Sequence, residues 1–243
     1  MRRLWPDPGT LDEDALLDAY ELDRRRPTIR ANFVTSLDGA VEAGGYSRGL
    51  SNPVDQRLLQ LLRVHADAVM VGAGTLRHEG YGAMRLKGDL PVRRKQRGLP
   101  EQPTLVVVSS ALELDPDHRM FTEAPVRPVV LTHAASPEDR REALATVADV
   151  ILTGESVVDL AVGRAELARR GLTQVLCEGG AHLFGSLVSA GLVDELCLTV
   201  SALLTGPGAD RIVEGPGRNE PVPMRLVHLI EDDGCLLTRY ARA

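Results

Sequence analysis

Four short runs, residues 104–109 (TLVVVS), 128–132 (PVVLT), 150–152 (VIL) and 174–177 (QVLC), are nearly continuous in β-branched and aliphatic residues. A strand apolar on both faces must be covered on both faces, which suits the interior of a parallel sheet. Parallel neighbours need a crossover, usually a helix. Residues 157–170, closed by Gly171, and residues 181–190 carry helical patterning and fit that role. Upstream, 28–35 reads as a strand with Ile29, Ala31 and Phe33 alternating, and 53–64 as a helix capped by Asn52 and opened by Pro53. A short strand over 66–71 then meets a helix start at Gly72-Ala73-Gly74-Thr75. At the end, 224–231 and 235–242 are joined by Asp232-Asp233-Gly234, a strong hairpin signal. The expected fold class is α/β, with a mixed, mostly parallel central sheet flanked by helices and a C-terminal antiparallel hairpin. Residues 1–27 read as a lead segment with a short helix over 12–23, and 28–243 as one domain. The Gly-, Arg- and Lys-rich stretch 77–103 reads as a long loop, its basic run Arg93–Arg97 as solvated.

Charge and composition exclude several classes of function. The net charge is −6 and aromatics are 3% of the chain, so neither a basic footprint nor a stacking platform recommends nucleic acid. The chain has no apolar stretch near the roughly 20 residues needed to cross a bilayer. Met1–Pro6 lacks the apolar core of a signal peptide, and Cys177, Cys197 and Cys235 have neither disulfide-framework nor zinc spacing. A cytoplasmic protein without a metal site is expected.

Glycine turns carry the functional signal. Gln174–Cys177 runs into Glu178-Gly179-Gly180 and then into a helix beginning near Ala181 and His182. Backbone N–H groups and the helix dipole there suit a phosphate, and glycines admit it closely. Glu178 stands at the carboxyl end of its strand, where open α/β sheets bind ligands. Gly72-Ala73-Gly74-Thr75 is half of a dinucleotide fingerprint, and Leu204–Gly208 is a third glycine turn. His65 falls on the inner helix face and reads as a hydrogen-bonded core residue; His182 fits either a phosphate contact or a turn cap. Ser36-Leu37-Asp38-Gly39 fits either an Asx-turn or a polar group brought to the same sheet edge as Glu178. No nucleophile–base set is apparent, and Cys177 reads as a buried strand end.

Ser36-Leu37-Asp38-Gly39, Leu61-Leu62-Arg63 ahead of Asp67–Thr75, Glu178-Gly179-Gly180 and Gly191-Leu192-Val193-Asp194-Glu195 occur in this order and spacing. Together they resemble the reductase domain of bacterial riboflavin biosynthesis, the C-terminal half of the bifunctional deaminase–reductase, over about residues 28–241. Glu79-Gly80-Tyr81-Gly82 after the glycine helix is similar to stand-alone pyrimidine reductase-like members. The resemblance implies a dihydrofolate-reductase-like fold and a homodimer. It also implies NADPH as cofactor and hydride transfer to C1′ of 5-amino-6-(5-phosphoribosylamino)uracil. It places Gly72, Ala73, Gly74, Thr75 and Glu79 along the NADPH site and gives the phosphates to Gly179, Gly180, Ala181 and His182. Val34 and Gly49 match further cofactor positions. Ser47, Arg63, Arg85 and Glu178 match substrate positions, with Arg63 and Arg85 suited to a sugar phosphate. Arg48, Arg77 and Ser109 are candidates for a cofactor 2′-phosphate.

Hydride transfer is the cofactor's own reaction, so a missing nucleophile and metal are in keeping with it. Glu79 or Asp38 is the candidate catalytic acid, with water as competitor. The chain departs from the bifunctional enzymes at Glu79–Ala83, where they carry Asp-Asp-Pro-x-Leu, and at Gly49, where an aromatic is usual. Two rivals follow: a dihydrofolate reductase-type activity on a pterin, admitted by the altered loop, and a non-catalytic NADPH- or nucleotide-binding protein.

Overall fold

A computed structural model describes residues 1–215 and 220–243. Among these, eleven strands form one sheet. They are β1 (Arg2–Trp5), β2 (Gly9–Thr10), β3 (Thr28–Thr35), β4 (Ala68–Gly72), β5 (Thr104–Val108), β6 (Val129–Thr132), β7 (Asp149–Leu152), β8 (Gln174–Cys177), β9 (Glu195–Val200), β10 (Met224–Asp232) and β11 (Cys235–Arg242). The helices are α1 (Glu13–Ala19), α2 (Pro53–His65), α3 (Ala73–Glu79), α4 (Leu90–Gln96), α5 (Arg119–Thr122), α6 (Glu138–Ala145), α7 (Leu160–Arg169) and α8 (Ala181–Ser189). The order across the sheet is β2-β1-β10-β11-β9-β3-β8-β4-β5-β6-β7. From β9 to β7 every pairing is parallel, and from β9 to β2 every pairing is antiparallel. The expected fold class, parallel centre with antiparallel C-terminal hairpin, is what forms.

The two faces alternate along each strand. Met70, Val106, Val175 and Cys177 point to one side, where Leu160 and Leu167 of α7 and Leu183, Phe184 and Leu187 of α8 close over them. Val69, Val71, Leu105 and Val107 point to the other, against α3, α5 and α6. On that second side Leu176, Cys197, Ile230 and Leu237 meet α1 and α2. At roughly 1.5–3 kcal/mol per fully buried aliphatic side chain, this double cover is the main force holding the central strands.

Two stretches differ from expectation. Residues 1–27 are woven into the sheet: β1 pairs with β10, Arg2 opposite Glu231 and Trp5 opposite Leu229, and Leu16, Leu17 and Tyr20 are core. A four-residue strand carries too little periodicity to show in a polar segment. Within 77–103, α3 extends to Glu79, and the basic run is helix α4 with Arg94 fully buried. Arg94 donates to the carbonyls of Arg63 (2.9 Å), Val64 (3.1 Å) and Ala66 (2.5 Å), closing the C-terminus of α2, and to Pro100 O (2.7 Å). These orphan carbonyls need donors, and the guanidinium fork serves several at once.

Candidate active site

Parallel strands end together, so the carboxyl ends of β3, β4, β5 and β8 deliver their loops to one edge. Gly72 N–H donates to Gly179 O (3.0 Å) and Glu178 N–H to Met70 O (3.0 Å), which locks the starts of α3 and α8 side by side. Both helices have a glycine N-cap, Gly72 and Gly180, and neither cap makes a side-chain hydrogen bond. The first N–H groups of α8 are thus left for a ligand. Gly179 sits at φ +111°, a conformation that side-chain-bearing residues rarely adopt. Gly180 has an ordinary φ of −62°, but a Cβ there would run into Thr75 Oγ1.

A cavity of about 750 Å³ opens over these turns. Gly72, Ala73, Gly74, Thr75, Glu79, Gly180, Ala181 and His182, all singled out in the sequence, line it, with Ser109 and Arg77 among its other walls. His182 is exposed and pairs with Glu214 (Nε2 to Oε2, 3.0 Å) across the rim. The residues fit a dinucleotide: an uncapped helix start, glycine turns open to backbone approach, and a cation and hydroxyl further along.

A second cavity of about 340 Å³ adjoins the first and shares Val41, Glu42, Thr75, Glu79, Gly180 and Ala181 with it. Val34, Ser47, Glu178 and Gly179 line it, together with Asn32, Phe33, Ser51, Asp55, Tyr81 and Arg211. Glu178 is buried and paired bidentately with Arg63: Nε to Oε1 2.6 Å, Nη2 to Oε2 2.7 Å. Tyr81 donates its hydroxyl to Glu178 Oε2 at 3.2 Å. Burial and the adjacent Glu178 charge push the Tyr81 phenol well above its usual range. Burial alone would lower Arg63, but the Glu178 carboxylate holds it above its ordinary value. Glu79 stands at the junction of the cavities, its Oε1 accepting the Ser47 N–H (3.1 Å). The 3₁₀ turn Ser47–Gly49 is held against α3, with Tyr46 stacked on His78 at 4.8 Å between ring centres.

Other sequence candidates lie elsewhere. Asp38 is an exposed loop clamp, accepting from Ser36 Oγ (2.5 Å), Gly206 N (2.8 Å) and Thr205 N (3.2 Å). Those hydrogen bonds, Ser36 first, hold its carboxyl far below the usual range, so it stays ionised. Arg85 lies outside both cavities and donates to Glu123 O (3.0 Å). Gly49 also lies outside; a Cβ there would collide with the Ala43 carbonyl, which accounts for glycine by packing. Arg48 stacks on Tyr46, 4.2 Å from the ring centre. His65 is a core residue, its Nε2–H donating to Leu17 O (2.8 Å). Burial raises the Cys177 thiol to about 12, which makes it inert. Asp55 and Asn32, unmarked in the sequence, are the additions. Each is buried, lines the smaller cavity, and carries an Oδ1 without a partner among the described residues. Among those residues there is also no His/Cys/Asp/Glu group able to hold a metal ion, and no helix long and apolar enough to cross a membrane.

The profile of the RibD C-terminal domain matches residues 27–237. An Archaeoglobus fulgidus protein named 2,5-diamino-6-ribosylamino-4(3H)-pyrimidinone 5′-phosphate reductase is 30% identical over 74% of this chain and 83% of its own. A Methanothermobacter thermautotrophicus protein of the same name is 31% identical over 80% of this chain and 87% of its own. The crystal structure of a pyrimidine reductase-like protein from Corynebacterium diphtheriae superposes with a TM-score of 0.81 at 28% identity, covering 89% of this chain and 92% of that one.

Proposed function

The chain belongs to the RibD C-terminal domain family, and from that premise we propose that it is a riboflavin-biosynthesis reductase that uses NADPH to reduce the ribose of a phosphoribosylamino-pyrimidine to a ribityl chain. The observation that carries this reading is the pair of adjoining cavities that share Thr75, Glu79, Gly180 and Ala181. One is large enough and rich enough in backbone N–H groups for a dinucleotide, and the other is the size of a small heterocycle with its sugar. NADPH bound in the larger cavity would supply the hydride, and the adjoining cavities would orient the substrate's C1′ towards it.

The chain's own residues bind, orient and exclude water. The α8 N-terminus, with Gly180 and Ala181, holds the cofactor's pyrophosphate; Arg77 and Ser109 recognise the 2′-phosphate that distinguishes NADPH. Glu178 and Tyr81 form a rigid wall of the substrate cavity, with Arg63, outside the lining, holding Glu178 from behind. The Glu178 carboxylate is fixed in orientation, its Oε2 filled by Arg63 and Tyr81, and only Oε1, which receives Arg63 alone, retains acceptor capacity for a sugar hydroxyl. Glu79, at the junction, is the acid placed to move a proton as the ribose ring opens. Arg211, at the outer wall of the smaller cavity, is the cation for the substrate phosphate in place of Arg85. The protein works in the cytoplasm, as a homodimer.

Loss of NADPH absorbance on adding either the 2,5-diaminopyrimidinone or the 5-aminouracil ribosylamino phosphate tests the reading, with dihydrofolate as comparator. Turnover of a pyrimidine is expected. Turnover of dihydrofolate alone, or tight NADPH binding without turnover of any of the three, would replace it with one of the two rivals. Light scattering after size exclusion checks the dimer.

A further inference from the structure

The smaller cavity holds two carboxylates in different states. Glu178 is committed: Arg63 occupies both of its oxygens and Tyr81 adds a third bond. Asp55, in the first turn of α2, is not. Its Oδ2 accepts the Ser51 hydroxyl at 2.6 Å, while Oδ1 has no partner among the described residues, although the residue is only 6% exposed. Nor is Asp55 needed as the helix cap, because Asn52 already fills that role by accepting Asp55 N–H at 3.0 Å. Beside it, Asn32 on β3 is 8% exposed, lines the same cavity, and leaves its own Oδ1 unpaired. A buried carboxylate oxygen without a donor is costly, and an ionised carboxylate can only accept. The group that completes it must present a hydrogen-bond donor.

We propose that Asp55 is the residue that reads the pyrimidine ring, and that it selects a 2-amino-4-oxopyrimidine edge over uracil. The inference rests on the functional reading above and deepens it. The two candidate rings differ at C2. A 2-amino-4(3H)-pyrimidinone carries an amino group there beside N3–H, two parallel donors that match a carboxylate as a guanidinium does. Uracil carries a carbonyl oxygen at C2, which would face the Asp55 charge with a like partial charge. Asn32 tolerates either ring, because its amide offers a donor or an acceptor by turning over. A dihydropteridine such as dihydrofolate shares the 2-amino-4-oxo edge, so this chemistry has two sources.

The experiment is calorimetric titration of the protein–NADP⁺ complex, which cannot turn over, with the two ribosylamino phosphates and with dihydrofolate. The ligands are compared on the native chain, on Asp55→Asn and on Asp55→Ser. A charge-assisted hydrogen-bond pair predicts that the 2-aminopyrimidinone binds the native chain roughly 10- to 100-fold more tightly than its uracil counterpart. In both variants that ratio should collapse towards one, while NADP⁺ affinity is kept. A merely structural Asp55 would weaken all ligands alike and leave the ratio standing. Equal or tighter binding of uracil by the native chain overturns the proposal even if neither variant folds; so does a ratio unchanged in the variants. Turnover with NADPH, measured in parallel, decides the functional reading separately. Consumption with dihydrofolate alone defeats that reading and assigns the edge to a pteridine, whose binding must still depend on Asp55.

Discussion

Glu178→Gln is the perturbation that most directly probes the electrostatic frame of the site. The substitution keeps the size of the side chain and removes one charge from a bidentate pair held at 2.6 and 2.7 Å. The Arg63 and Glu178 side chains are 12% and 2% exposed, so the surviving guanidinium has little access to water. Breaking a buried pair from one side costs about 3–5 kcal/mol, since the remaining charge is uncompensated. In a chain of this size each kcal/mol moves Tm by about 2–4 °C, so the variant should melt roughly 6–20 °C below the native protein. Arg63→Met should cost a similar amount, since it strands the Glu178 carboxylate in the same way. The double variant should fall short of the sum of the two by about 2 kcal/mol or more, because it removes both charges and leaves neither stranded. Urea denaturation of the four proteins, with unchanged slopes, gives the cycle directly. Single-variant losses under about 1 kcal/mol, or strict additivity, would show that water or another group serves these charges. Glu178 would then not be the fixed wall described above.

Gly180→Ala should weaken NADPH binding at least about tenfold with a small change in Tm, because its Cβ meets Thr75 Oγ1 in the cofactor cleft while its φ of −62° is open to alanine. Gly179→Ala should instead lose about 1–3 kcal/mol of stability, its φ of +111° being strained for alanine; equal Tm shifts in the two would refute the distinction. Burial lowers both His65 and His228 to about 3, so both stay neutral when folded and take up protons when unfolded. Their contribution is complete above about pH 6.5 and declines as pH falls towards 3, by up to about 1.4 kcal/mol per pH unit each. His65→Gln should roughly halve that slope in urea midpoints measured between pH 7 and 5. Arg94→Met strands the α2 carbonyls and should cost about 3 kcal/mol or more by the same denaturation assay, as the tail of large mutational effects requires a broken buried network.

The legible part of this chain is the part set by neighbours in sequence. Continuous aliphatic runs suit interior parallel strands, and Asp232-Asp233-Gly234 is a strong local turn signal, so the sheet and its hairpin are marked by residues a few positions apart. The glycine turns at Gly72 and Gly180 were likewise visible, because a glycine cap before a helix leaves its mark locally. What stayed hidden depends on distant partners. The basic run Arg93–Arg97 becomes a helix because Arg94 finds three carbonyls at the end of α2, some thirty residues earlier. Strand β1 exists because β10, more than two hundred residues later, offers it a side to pair with.

The same division explains the two acids of the substrate cavity. Glu178 was conspicuous, ending a strand before two glycines, and its fold-given partner Arg63 turned it from a free ligand into half of a rigid pair. Asp55 was inconspicuous, since an acid in the first turn of a helix is what the dipole favours anyway. Its one local oddity is redundancy: Asn52 already caps α2, so the carboxylate is surplus to the helix. A charge that local structure does not need, buried with an oxygen unpaired, is where tertiary structure has reserved bonding capacity for something outside the chain. In this cleft the conspicuous acid supplies rigidity, and the surplus one is left to discriminate between rings. That assignment makes ligand preference, rather than stability, the property that should move when Asp55 is changed.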